Sequence, residues 1–176
     1  MVDGDLSIDP WSSTQSTDYS RIIEQFGLSN LGNLTLPNPS HLHRRGIVFA
    51  HRDLELVLQA QKTGDKFGVL TGLMPSGRMH LGHSMVIEQV KWFQNLGGDV
   101  TIAVADLESQ ATRGVSLSKG REIALREYVA NYAALGLNPD LTNVYFQSTR
   151  ADVQRLGFKL GKRTNLSEFE SIYGFK

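Results

Sequence analysis

Pro75-Ser76-Gly77-Arg78-Met79-His80-Leu81-Gly82-His83 lies between a short apolar run, Phe67-Gly68-Val69-Leu70, and a stretch carrying Val86, Val90 and Phe93 at i, i+4 and i+7. The first reads as a strand and the second as one face of a helix, so the nine residues sit where strand turns into helix. Such a unit opens the parallel α/β folds that bind nucleotides at the carboxyl ends of their strands. The expected fold is therefore α/β, a Rossmann-like parallel sheet with helices on both faces.

The residue types at that junction suit phosphate chemistry. The first N–H groups of a helix lack intrahelical partners and stand at the positive end of its dipole, which draws anions. Gly82, with no Cβ, leaves room for an adenine or ribose, and Gly72 and Gly77 are expected to permit a tight turn after the strand. Imidazole N–H groups of His80 and His83 can donate to charge growing on a polyphosphate, so both are candidate catalytic residues. Gly72, Met74, Pro75, Ser76 and Gly82 are expected to line the nucleotide crevice. A zinc site is the weaker reading, because the chain has no cysteine and no third ligand falls at a suitable spacing.

Composition sets outer limits. The chain has 176 residues, 40% hydrophobic, enough for one good core with an extension. Eighteen basic residues balance eighteen acidic ones, so no whole-molecule field advertises nucleic acid or membrane. The absence of cysteine fits a reducing compartment, no apolar stretch approaches membrane length, and Met1-Val2-Asp3-Gly4-Asp5 lacks the features of a signal peptide. A soluble, cytoplasmic protein is expected.

Along the chain, residues 1–46 are polar and Pro-containing and read as an extension, with a helical stretch from Tyr19 to Phe26 and an anchoring Pro10-Trp11. His41, His43, Arg44 and Arg45 read as a solvated loop, with contact to nucleic-acid phosphate as the alternative. Asp53 is placed as an N-cap or first-turn acid for a helix bearing Leu54, Val57 and Leu58. Val100 to Ala105 reads as a buried strand and Asn143 to Gln147 as a third, which puts Asp106, Glu108 and Gln147 at the ligand edge of the sheet. Asp106 is as consistent with a helix cap as with function. Leu117 to Leu135 reads as one long helix, followed by helical stretches from Ala151 to Leu160 and Ser167 to Tyr173.

Taken in order, these residues carry a resemblance. Pro75 to His83 resembles the "HIGH" signature of class I aminoacyl-tRNA synthetases. His51-Arg52-Asp53-Leu54, Thr71 to Gly77, Ala105-Asp106-Leu107-Glu108, Tyr145-Phe146-Gln147-Ser148 and Ile172-Tyr173-Gly174-Phe175 are similar to archaeal tryptophanyl-tRNA synthetases, as are Pro10-Trp11 and Glu24-Gln25-Phe26-Gly27. The resemblance implies that tryptophan attacks the α-phosphorus of ATP, and that the adenylate then acylates tRNA(Trp), with Mg²⁺ accompanying ATP and a homodimer as the intact enzyme. It implies further that His80 and His83 face the phosphates, that Gly82 faces the adenosine and that Glu108 accepts the indole N–H. Leu70 and Gln147 are expected on the amino-acid side.

Two departures qualify it. Leu70 and Ala103 stand where relatives often carry Tyr and Gln, and the Lys-Met-Ser-Lys-Ser signature is missing, Leu117-Ser118-Lys119-Gly120 being read as a helix start. The resemblance thus implies that residues 47–176 are the first half of the catalytic domain, the second half and the anticodon-binding domain being absent. A tyrosyl-tRNA synthetase is the alternative within the same chemistry, and Leu70 counts against it because it offers no partner to a phenol oxygen. A catalytically incompetent half-synthetase that binds nucleotide or tRNA is the alternative of another class.

Overall fold

The computed structural model describes residues 20, 23, 24 and 26–167. Contacts divide the chain into residues 29–151 and a second unit made of residues 1–28 and 152–176. The second unit includes nearly all of a helix, Ala151–Gly161, close to the expected Ala151 to Leu160. Pro10-Trp11, most of the helix expected from Tyr19 and most of that expected from Ser167 lie outside the described residues.

The larger unit is built on three parallel strands, β3 (Gly68–Leu73), β4 (Asp99–Val104) and β5 (Thr142–Phe146), in the order β3-β4-β5. The register sets Gly72 beside Ala103 and Ile102 beside Val144, so all three strands end together at Leu73, Val104 and Phe146. This is the expected parallel α/β fold. One face of the sheet, with Val69, Leu73, Val100, Ile102 and Val144, packs against Ile87 and Val90 of the motif helix and against Tyr128 and Tyr132. Central β4 is buried from Ile102 to Val104, as its near-continuous apolar run requires.

The motif helix (Leu81–Asn95) returns to β4 through Gly97, at φ +97°, and Gly98. A Cβ on Gly98 would lie 2.7 Å from the Phe67 ring and 2.8 Å from Val69, so only glycine lets this turn close on the start of β3.

Two elements depart from expectation. β3 runs on through Thr71-Gly72-Leu73, because β4 supplies ladder partners as far as Leu73 and local glycine content does not break that pairing. Gly72 is therefore a strand residue and not part of a tight turn. Neither Gly72 nor Gly77 has a positive φ. The long helix from Leu117 to Ala134 is interrupted: α-helical turns at Leu117–Ile123 and Ala130–Ala134 flank a π-helical turn at Ala124–Val129. Ser116 caps its start by accepting the Lys119 N–H at 3.3 Å, as the helix-start reading of Leu117-Ser118-Lys119-Gly120 requires.

Before the sheet, β1 (Ser29–Asn30) pairs antiparallel with β2 (Ala50–His51). Leu31 packs with Leu54, Leu58 and Trp92, and the Trp92 indole N–H donates to the carbonyls of Pro37 and Asn38, each at 3.1 Å. The basic cluster is not a loop but a short helix, His41–Arg44, in which the His43 ring lies 4.5 Å from Trp92 while Arg44 and Arg45 stay exposed. Asp53 occupies the N-cap position of the helix Leu54–Thr63, yet its side chain makes no cap. With φ at +54° it leaves that task to His51, whose Nδ1 accepts the Leu54 N–H at 3.3 Å.

Candidate active site

At the start of the motif helix the two histidines are fixed by backbone. His80 Nδ1 accepts the Gly82 N–H at 3.2 Å, and His83 Nδ1 accepts the His80 N–H at 3.3 Å. Amide N–H groups can only donate, so each neutral ring carries its hydrogen on Nε2 and presents that atom as a donor. The ring centroids lie 4.0 Å apart. Burial holds the His83 pKa below the usual imidazole range, and the neighbouring His80 charge lowers it further. The histidines thus cap the helix and leave two Nε2–H donors at its positive end.

Gly82 has a reason that spacing alone does not show. A Cβ there would come within 3.1 Å of His80 Cε1 and 3.2 Å of Nδ1, so a side chain would press on the capping imidazole itself.

The remaining candidates gather at the carboxyl edge of the sheet. Beyond Leu73, whose carbonyl accepts the Ala105 N–H at 3.0 Å, the chain leaves the ladder and turns through Met74, Pro75 and Ser76. Pro75 is buried, while Ser76, Gly77 and Arg78 are exposed. After β4 comes a helix, Asp106–Arg113, with Glu108 exposed in its first turn. Its Thr112 hydroxyl lies 3.6 Å from the Met74 sulfur, which ties this helix to the motif turn. Gln147 opens a 3-10 turn, Gln147–Thr149, directly after β5. Arg121 sets its guanidinium 4.5 Å from the centre of the Phe146 ring, bringing one positive charge to the same edge. Leu70 is the outlier in position: it is mid-strand beside Thr101, on the face opposite Val69, and 74% exposed.

Asp106, open to either reading from sequence, serves structure. Only 2% exposed, its carboxylate accepts the Leu107 N–H at 3.1 Å, the Ser148 N–H at 3.0 Å and the Ser148 hydroxyl. It joins the end of β4 to the turn after β5 and so fixes where Gln147 stands.

Sequence reasoning missed two residues that reach the motif turn. The Ser109 hydroxyl donates to the Pro75 carbonyl at 3.0 Å, and the Tyr128 hydroxyl donates to the Met74 carbonyl at 3.2 Å. Tyr128 also meets the His83 ring edge-on, with centroids 5.3 Å apart. The available signal was a tyrosine in a buried helix stripe, since a buried phenol needs a partner. A cavity of about 400 Å³ lined by Leu31, Leu36, His43, Val48 and Phe49 lies away from this edge, and no motif residue lines it.

This geometry agrees with what the chain is similar to. Residues 61–176 match the family described as class I tRNA synthetases (W and Y). The chain belongs to that family. It is 49% identical over 168 residues to a tryptophan–tRNA ligase of Thermoplasma acidophilum, covering 96% of this chain and 38% of that one. It is 44% identical over 173 residues to the tryptophan–tRNA ligase of Methanosarcina acetivorans, covering 97% and 39%. The crystal structure of the tryptophanyl-tRNA synthetase of Aeropyrum pernix superposes with a TM-score of 0.82 at 38% identity, over 96% of this chain and 48% of that chain. The chain thus spans less than half the length of these class I relatives.

Proposed function

We propose that this chain carries the ATP-activating part of a tryptophan–tRNA ligase, which forms tryptophanyl-adenylate and passes tryptophan to tRNA(Trp). The observation that carries the reading is the pair of imidazoles whose Nδ1 atoms are occupied by backbone N–H groups, leaving two Nε2–H donors at a helix N-terminus. The names borne by its relatives support tryptophan as the amino acid.

In this reading the tryptophan carboxylate oxygen bonds to the α-phosphorus of ATP and pyrophosphate leaves with the bridging electron pair. His80 and His83 donate to the charge that accumulates on phosphate oxygens, and no proton is abstracted. Gly82 keeps the helix start open to the nucleotide, while Gly72, Met74, Pro75 and Ser76 form the adjoining wall. Mg²⁺ bound with ATP would supply charge balance for the triphosphate. Glu108 accepts the indole N–H, a bond that phenylalanine has no donor to make. Leu70 and Gln147 face the amino acid. Residues 47–176 are the first half of the catalytic domain, the working enzyme is a cytoplasmic homodimer, and residues 1–46 extend it.

Amino-acid-dependent ATP–pyrophosphate exchange tests the reading, on the purified chain alone and with the remainder of a relative's length supplied. Tryptophan should support exchange, more strongly with the remainder present, and tyrosine should not. Exchange driven by tyrosine would replace tryptophan as substrate, and ATP binding without any exchange in either arrangement would make the chain a binding module. His83→Ala should slow adenylate formation by roughly 10²–10³ with tryptophan affinity little changed. An equal loss of tryptophan affinity would contradict the role given to His83.

A further inference from the structure

We propose that Ser109 and Tyr128 are positioning residues of this site, two buried hydroxyls from different helices that clamp consecutive carbonyls of the turn carrying His80 and His83. The inference rests on the activation chemistry proposed above and adds residues that the motif does not contain.

Ser109 is 0% exposed and Tyr128 1% exposed. Their hydroxyls donate to Pro75 O at 3.0 Å and Met74 O at 3.2 Å, immediately after the last strand residue. The Met74 carbonyl already accepts the Ser76 N–H at 2.9 Å, so the Tyr128 hydroxyl adds a second bond to an oxygen that had one. That makes it a restraint on direction more than a rescue of an orphaned group. The same tyrosine touches His83 with its ring edge, so one side chain fixes both the turn and one imidazole. Its backbone belongs to the π-helical turn Ala124–Val129, and such turns interrupt α-helices frequently at functional sites. Buried Gly120, where a Cβ would lie at ordinary contact distance, 3.7 Å, from the Pro75 ring, shows that the same helix packs against the turn.

Two rigid elements thus hold a loop that has left the sheet. Geometry matters here because donors aimed at developing charge lose effect steeply when displaced by about an ångström.

The test uses the whole chain carrying Tyr128→Phe, Ser109→Ala, or both, each change removing a single oxygen from the side chain. The first readout is the Hε1 and Nε2 chemical shifts of His83 by NMR, which do not depend on activity. Both single variants should shift them while His41, remote from the turn in sequence, keeps its own. The second readout is tryptophan-dependent exchange, in which kcat should fall roughly tenfold for each variant with the KM for tryptophan unchanged. Less than a multiplicative loss in the double variant is expected, because both hydroxyls act on one turn. If the wild-type chain shows no exchange even with the remainder of a relative's length supplied, the proposed activity fails and the clamp is still judged on His83. Unaltered His83 shifts in both folded variants overturn the clamp, whatever the activity. Should one variant fail to fold, the other carries the same test.

Discussion

The His83 Nδ1 accepts a backbone N–H that stabilises the helix start, which leaves Nε2 as the donor of the neutral ring. Protonating Nδ1 would set a donor against a donor, so the arrangement requires a neutral ring. Burial and then the charge of His80 act in the same direction, lowering the His83 pKa. An unfolded chain takes up this proton near the ordinary value of about 6.5, whereas the folded chain resists it. Below that pH the unfolded state therefore binds more protons, and the contribution is present in full above it and lost as pH falls. By NMR, His83 should titrate below the ordinary imidazole range, and the denaturation midpoint should decline as pH drops from 7 to the region of its folded pKa. His80→Asn keeps a capping acceptor but removes the neighbouring charge, so it should raise the His83 pKa without restoring it fully. A His83 that titrates normally in the wild-type chain would contradict this account.

The turn from the motif helix into β4 depends on Gly98, where an added Cβ would fall under 3 Å from both Phe67 and Val69. Gly98→Ala should destabilise by about 1–3 kcal/mol through overpacking, read as a lower urea midpoint with unchanged slope. A neutral result would mean that the start of β3 yields more easily than its packing implies. Gly97-Gly98 was legible as a turn because the cue is local, and so were the three parallel strands, the helices that start at Leu54, Leu81, Leu117 and Ala151, and His-x-Gly-His at a strand-to-helix junction. What failed to show in the sequence is long-range. The Tyr128 and Ser109 bonds span 54 and 34 positions and the Asp106–Ser148 pair spans 42, so no window of periodicity contains both partners. The same reason explains β3, whose last three residues are ordered by β4 and not by their own propensity. It also explains His51 acting as the cap expected of Asp53, since a left-handed backbone at that position is not legible from residue type.

Eighteen positive and eighteen negative side chains leave no net field to gather a polyanion from solution. Among the described residues, no helix is long and apolar enough to cross a membrane. In the proposed function, recognition of ATP is local, at the carboxyl edge of β3, β4 and β5, with the motif helix supplying N–H groups and two imidazoles. This claim can be read without turnover. Titrating ATP with Mg²⁺ into the isotopically labelled chain, while following imidazole and backbone nitrogen signals, locates the phosphates directly. Progressive shifts are expected at the Nε2 of His80 and His83 and at the Gly82 amide, with His41 and the exposed Arg44-Arg45 segment unaffected. Shifts centred on the His41–Arg45 cluster, with His80 and His83 unmoved at saturating ATP, would contradict it.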